Sequence, residues 1–189
     1  MLEDGEQEAS HLFALVTYIP DPLGPFLDNL RRELVPGISP RSHVTVLPPR
    51  LLSVPRSEAI AALRRWIVDF GPFEIEAGRV EVFPRSDVVY LEIGAGRKDL
   101  YRMHQAMNVG PLKFDEPYPY HPHITLAQDL THEQSIELAK LARRRWSEYP
   151  YQRAFTVESM DFVQSSDRKI WRDRARFELE PATPVRRRR

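Results

Sequence analysis

The segments RSHVTVLPP (residues 41–49) and YHPHITLAQ (residues 120–128) each place a histidine, an apolar residue, a threonine and a second apolar residue in succession, 80 residues apart. In an extended strand, alternate side chains point to opposite faces. His43 and Thr45 therefore share one face and Val44 and Val46 the other; His123 and Thr125 separate in the same way from Ile124 and Leu126. The apolar face fastens each strand to a hydrophobic layer, and the polar face is left to line a cleft. Same-face residues lie roughly 6–7 Å apart, a span that lets an imidazole and a hydroxyl grip different parts of one phosphate group. One such strand alone is commonly a structural element with a hydrogen-bonded imidazole. Two copies in matching surroundings call for another explanation.

The surroundings do match. Before the first motif, residues 11–19 read as a strand, and Phe26, Leu27, Leu30 and Leu34 recur at helical spacing until PGISP stops them. Residues 43–47 form the motif strand, closed by Pro48 and Pro49. A helix then carries Ile60, Leu63 and Ile67, with Ala59 and Trp66, as far as Gly71-Pro72. Residues 73–83 and 88–93 read as a hairpin around PRSD. In the second half a helix through Leu100, Met103 and Met107 leads, by a loop rich in Pro and Tyr, to the strand HITLA. Thr131 and Gln134 have capping-box spacing and open a helix with Ile136, Ala139 and Trp146. Residues 154–164 and 170–179 read as the last two strands, around SSDRK. Each motif strand is thus followed by helix, strand and strand, and Phe73, Ile75 and Glu76 resemble Phe155, Val157 and Glu158. The pattern predicts an α+β fold of two lobes related by a pseudo-two-fold, each with an antiparallel sheet and helices, and a central cleft between them.

The chain has 189 residues, which suits a single bilobal domain over residues 10–180, with an acidic N-terminus (1–9) and a basic tail (181–189) expected to be disordered. It contains no cysteine, which removes disulfides, thiolate nucleophiles and thiolate metal sites. An acidic start unlike a signal peptide, and no apolar run of the roughly 18 residues that span a bilayer, point to a cytoplasmic monomer without a membrane partner. Formal net charge is zero, so nothing suggests a protein that coats long nucleic acid; the four arginines at 186–189 read as a solvated tail or as an end that could touch nucleic acid.

Histidine exchanges its proton near neutral pH. Cleaving a phosphodiester requires a base for the attacking oxygen and an acid for the departing one, and two opposed imidazoles in different protonation states supply both without a metal. Threonine hydroxyls add donors for the non-bridging oxygens. With His43, Thr45, His123 and Thr125 as the candidate catalytic set, the chain resembles the 2H phosphoesterase superfamily, whose LigT-like, 2′-5′ RNA ligase and cyclic phosphodiesterase members carry two His-x-Thr/Ser-x motifs. The resemblance covers about residues 10–180. It implies metal-independent action on 2′,3′-cyclic phosphates or 2′-5′ linkages of nucleotides and RNA ends, without a cofactor. It also implies His43 as the acid, His123 as the base, and both threonines as phosphate ligands. Pro48-Pro49-Arg50 replace a Phe-Leu-Gly type of continuation common among the RNA ligase-like members. A non-catalytic binder of nucleotides or RNA ends, or an enzyme for a small metabolite phosphodiester, is the alternative.

Further candidates for substrate contact are Arg41 and Arg50, which flank the first motif, and Tyr118, Tyr120 and His121, which precede the second. The tyrosines could stack on a base or simply pack in their loop. His121-Pro-His123 lacks a third nearby metal ligand, so His121 is expected to shape the cleft wall rather than hold a metal. Phe83 reads mainly as core. His11, His104 and His132 read as structural or solvent-facing, Trp66 and Trp146 as packing, and Arg85, Arg168 and Lys169 as turn residues. No Gly-rich phosphate loop, HExxH or nucleophile elbow is present.

Overall fold

In the computed structural model, residues 12–38, 41–165 and 170–181 are described. The expected acidic N-terminus (1–9), residues 182–189 of the expected basic tail, His11 and the turn residues Arg168 and Lys169 lie outside them. The strands are β1 (Leu12–Tyr18), β2 (His43–Arg50), β3 (Phe73–Val82), β4 (Val89–Ile93), β5 (His123–Ala127), β6 (Ala154–Val157), β7 (Ser159–Ser165) and β8 (Arg172–Glu178). The helices are α1 (Leu23–Leu34), α2 (Arg56–Trp66), α3 (Arg97–Met107) and α4 (His132–Ser147). Two four-stranded antiparallel sheets result, ordered β2-β1-β7-β8 and β5-β4-β3-β6. The α+β, two-lobed expectation is met.

The repeat unit begins one strand and one helix earlier than the motifs imply. β1-α1-β2-α2-β3 corresponds to β4-α3-β5-α4 followed by β6 and β7, so that β2-β1-β7 in one sheet matches β5-β4-β3 in the other. The last strand of each unit completes the other unit's sheet. The helices are shared too, since α1 packs on β5 and α3 on β2. One hydrophobic core therefore runs through both lobes, from Phe13, Leu15 and Phe162 to Ile75, Leu91 and Ile124. The motif strands β2 and β5 form the edges of their sheets and lie beside each other.

Three boundaries differ from the sequence reading. β2 runs through Pro48 and Pro49 to Arg50, which pairs with Phe13; a proline's missing N–H is tolerated in an edge strand. Residues 154–164 are not one strand. The chain leaves one sheet after Val157 and enters the other at Ser159, with Glu158 at the crossing, where its carbonyl accepts from Leu179 N–H at 2.7 Å. α2 ends at Trp66, leaving Ile67 in a 3₁₀ turn. The Thr131–Gln134 capping box is present on α4, but that helix buries Ser135, Ala139, Ala142 and Trp146 and turns Ile136 outward.

Candidate active site

Both motif strands carry the predicted alternation. Val44, Val46, Ile124 and Leu126 are fully buried, while His43, Thr45, His123 and Thr125 are half-buried on the opposite face. Both also share a feature that alternation does not predict. In β2 the register steps from Thr45↔Val16 to Leu47↔Leu15, and in β5 from Thr125↔Tyr90 to Ala127↔Val89. Each strand thus holds one extra residue, Val46 or Leu126, at the fourth motif position. Such a bulge bends the strand and re-aims its side chains. It also explains why two successive residues are buried after each threonine.

Each imidazole is held by its own strand entrance. His43 Nδ1 lies 2.8 Å from the Arg41 carbonyl and His123 Nδ1 lies 2.6 Å from the His121 carbonyl. A carbonyl only accepts, so Nδ1 carries the proton in both rings, and Nε2 of the neutral ring presents a lone pair. Among the described residues nothing bonds either Nε2 or either threonine hydroxyl. Burial lowers the His43 pKa to about 4. The Arg41 carbonyl opposes this, while the charges of Arg31 and His123 add to it. Burial likewise lowers His123, the His121 carbonyl opposing and the His121 ring reinforcing. Burial thus favours the neutral form of both rings, and an anion beside them favours protonation of one.

The flanking groups break the symmetry. Across the ladder, His43 pairs with Tyr18, whereas His123 pairs with Glu92. The Tyr18 hydroxyl donates to Asp173 Oδ1 at 2.6 Å, and Arg41 lies over the Tyr18 ring with its guanidinium 3.2 Å from Asp173 Oδ2. Beside His123, Phe83 stacks on Tyr90 at 3.9 Å and meets His123 and His121 edge-on at 5.0 and 5.2 Å. The sequence reading left Tyr18, Tyr90, Glu92 and Asp173 out of the site and Phe83 mainly in the core. Tyr18 and Glu92 were recoverable in principle, from the strand phase of β1 and β4 once each is paired with its motif strand.

Of the other candidates, Arg41 and His121 flank the histidines, and Tyr118 is exposed on the loop before β5. Arg50 does not reach the cleft surface. It is 1% exposed, ion-paired with Glu116 at 2.9 Å and bonded to Asn108 and to the carbonyls of Pro48 and Leu112, so its donors are spent inside the fold. Tyr120 is not a free stacking surface either, because its ring lies parallel to His104 at 3.9 Å and its hydroxyl donates to the Thr45 carbonyl. His104 is buried and donates from Nδ1 to the Val46 carbonyl at 2.8 Å. Among the described residues no three His, Asp or Glu side chains are grouped to hold a metal ion, and no helix is long and apolar enough to cross a membrane.

Two motif strands at facing sheet edges, with paired imidazoles and hydroxyls between shared lobes, are the arrangement of the phosphoesterases that carry two His-x-Thr motifs. Comparison with known proteins agrees. The model of the 2′-5′ RNA ligase superfamily matches residues 19–169, and the chain belongs to that superfamily. A relative from Oceanobacillus iheyensis, provisionally named a phosphoesterase, is 30% identical over 83 residues, or 43% of this chain and 48% of its own length. Another so named, from Bacillus cytotoxicus, is 24% identical over 72% of this chain and 78% of its own. The chain thus spans about half of the first relative. The crystal structure of E. coli LigT with 3′-AMP shares the fold with a TM-score of 0.62 at 18% identity, covering 89% of this chain and 98% of that one. Kluyveromyces marxianus Usb1 with uridine monophosphate does so with a TM-score of 0.51 at 12% identity, covering 82% and 94%.

Proposed function

We propose that the chain is a metal-independent phosphodiesterase that opens the 2′,3′-cyclic phosphate of a nucleotide or RNA end, using His43 and His123 as acid and base. The observation that carries this is the matched pair of imidazoles, each with Nδ1–H tied to the carbonyl two residues before it and Nε2 left unspent. In the hydrolytic direction, His123 Nε2 takes a proton from water as the water oxygen bonds to phosphorus. One ring P–O bond breaks, and the departing sugar oxygen receives a proton from His43 Nε2, giving a phosphomonoester. The substrate anion favours the imidazolium this step requires at His43, against the burial that favours the neutral ring. Thr45 and Thr125 donate to the non-bridging oxygens. The Phe83–Tyr90 stack beside His123 supplies an aromatic wall for a base, and Arg41 and His121 line the approach. Nucleotides bound to the structurally similar LigT and Usb1 support this ligand class.

The test is turnover of the four 2′,3′-cyclic nucleotides with EDTA present, separating 2′- from 3′-monophosphate products. Activity that survives EDTA and is lost in both His43→Ala and His123→Ala supports the reading. Tight nucleotide binding without turnover of these or of short cyclic-phosphate RNAs makes the chain a binder instead. Loss with EDTA and recovery with a divalent ion assigns the His121–His123 pair to a metal.

A further inference from the structure

β2 is an edge strand, so one of its two rows of backbone groups has no neighbouring strand, and the bulge at Val46 disturbs the other. Two aromatic rings meet this backbone. The Tyr120 hydroxyl donates to the Thr45 carbonyl at 2.8 Å, and His104 Nδ1–H to the Val46 carbonyl at 2.8 Å. The rings lie parallel, 3.9 Å apart with 2° between their planes, and Tyr101 meets Tyr120 edge-on at 5.5 Å. Behind them, Glu116 pairs with buried Arg50 and lies 3.6 Å from His104 Nε2.

The chain segment that makes these contacts also ends in the second motif. Tyr120 is followed at once by His121, whose carbonyl orients His123. Any movement of Tyr120 relative to β2 therefore carries the His121 carbonyl and the His123 ring with it, while His43 stays with β2. We propose that Tyr120, stacked on His104, is a positioning residue that sets the spacing of the two motif histidines by tying the Thr45 carbonyl to the segment that orients His123. Its kinetic consequence rests on the acid–base reading above, but the tie itself does not. Neither ring touches the reacting atoms; they act through the backbone of β2. A hydrogen bond inside such a network is geometrically stiff, and a small displacement of acid from base is costly to the rate.

Tyr120→Phe removes the tie and leaves the ring stack. The first readout needs no substrate: the ring-nitrogen NMR titrations of His43 and His123 in the full chain. With the spacing relaxed, His43 titrates higher than in the wild type, because it feels less of the His123 charge. The second readout is kinetic: kcat on a 2′,3′-cyclic nucleotide falls about tenfold while KM stays within about twofold. Phe155→Leu, a core change in β6, is the comparison for lost stability alone and moves neither titration. Unchanged titrations in Tyr120→Phe, or equal changes in Phe155→Leu, overturn the proposal. If the wild-type protein turns over no cyclic phosphate, the proposed function fails, and the titrations still decide the role of Tyr120.

Discussion

Arg50 meets Glu116 at 2.9 Å across 66 residues of sequence, and only 1% of the arginine side chain and 10% of the glutamate are exposed. The remaining donors of Arg50 are bonded to Asn108 and to the carbonyls of Pro48 and Leu112. This ion pair joins the end of the first motif strand to the loop that leads into the second, so it belongs to the frame that holds the two histidines in one cleft.

Removing one member of a buried pair leaves the other charge without a partner, at a cost of about 3–5 kcal/mol. Arg50→Ala is expected to lose stability in that range by urea unfolding. Replacing both members with apolar residues, Arg50→Met with Glu116→Leu, is expected to recover only part of the loss: no unpaired charge then remains, but Asn108 and the Pro48 and Leu112 carbonyls lose their donor. A single variant that unfolds at the wild-type midpoint would show that the pair does not anchor the two segments.

Arg50 also shows where sequence stops being informative. The apolar-polar alternation of His43–Val46 and His123–Leu126 is a local property, and it survives folding intact. Whether an arginine after Pro-Pro reaches solvent or a buried carboxylate depends on a partner 66 residues away, which local pattern does not encode. Tyr120 is the same case, because its occupant ring, His104, arrives from α3. The bulges at Val46 and Leu126 are invisible for a related reason: they are properties of the pairing with β1 and β4, not of the motif strands alone. The split of residues 154–164 between two sheets follows from the exchange of last strands between the repeat units. A continuous apolar-rich run gives no sign of it.

Threonine hydroxyls left unbonded beside the imidazoles are expected to act on charge that builds at the phosphate. Thr125→Val keeps the β-branched shape that packs in the strand and removes the donor. Its kcat is expected to fall about 10²-fold with a smaller change in KM. A loss confined to KM would place Thr125 in ground-state binding only.

Acid–base catalysis by two histidines needs one protonated and one neutral ring, so the rate is bell-shaped in pH. Burial lowers both pKa values in the free protein, that of His43 to about 4. The plot of kcat/KM, which reports the free enzyme, is therefore expected to peak on the acid side of 6.5, the ordinary histidine value. The plot of kcat reports the complex and is expected to peak higher, because the bound anion favours the imidazolium. Coinciding optima near neutrality would mean that the cleft does not hold the rings neutral.

The depressed His43 pKa also sets a dependence of stability on pH. Between about 6.5 and about 4 the unfolded imidazole is protonated and the folded one is not, so the unfolded state binds more protons. Stability attributable to this residue then declines as pH falls through that window and levels off below it. The full shift is worth on the order of 3 kcal/mol. Carboxylates titrate at the lower end of the same range, so the measurement is a difference: unfolding free energies of wild type and His43→Gln from pH 7 to pH 4. The wild type is expected to lose stability relative to the variant on acidification, and parallel curves would place the His43 pKa at its ordinary value.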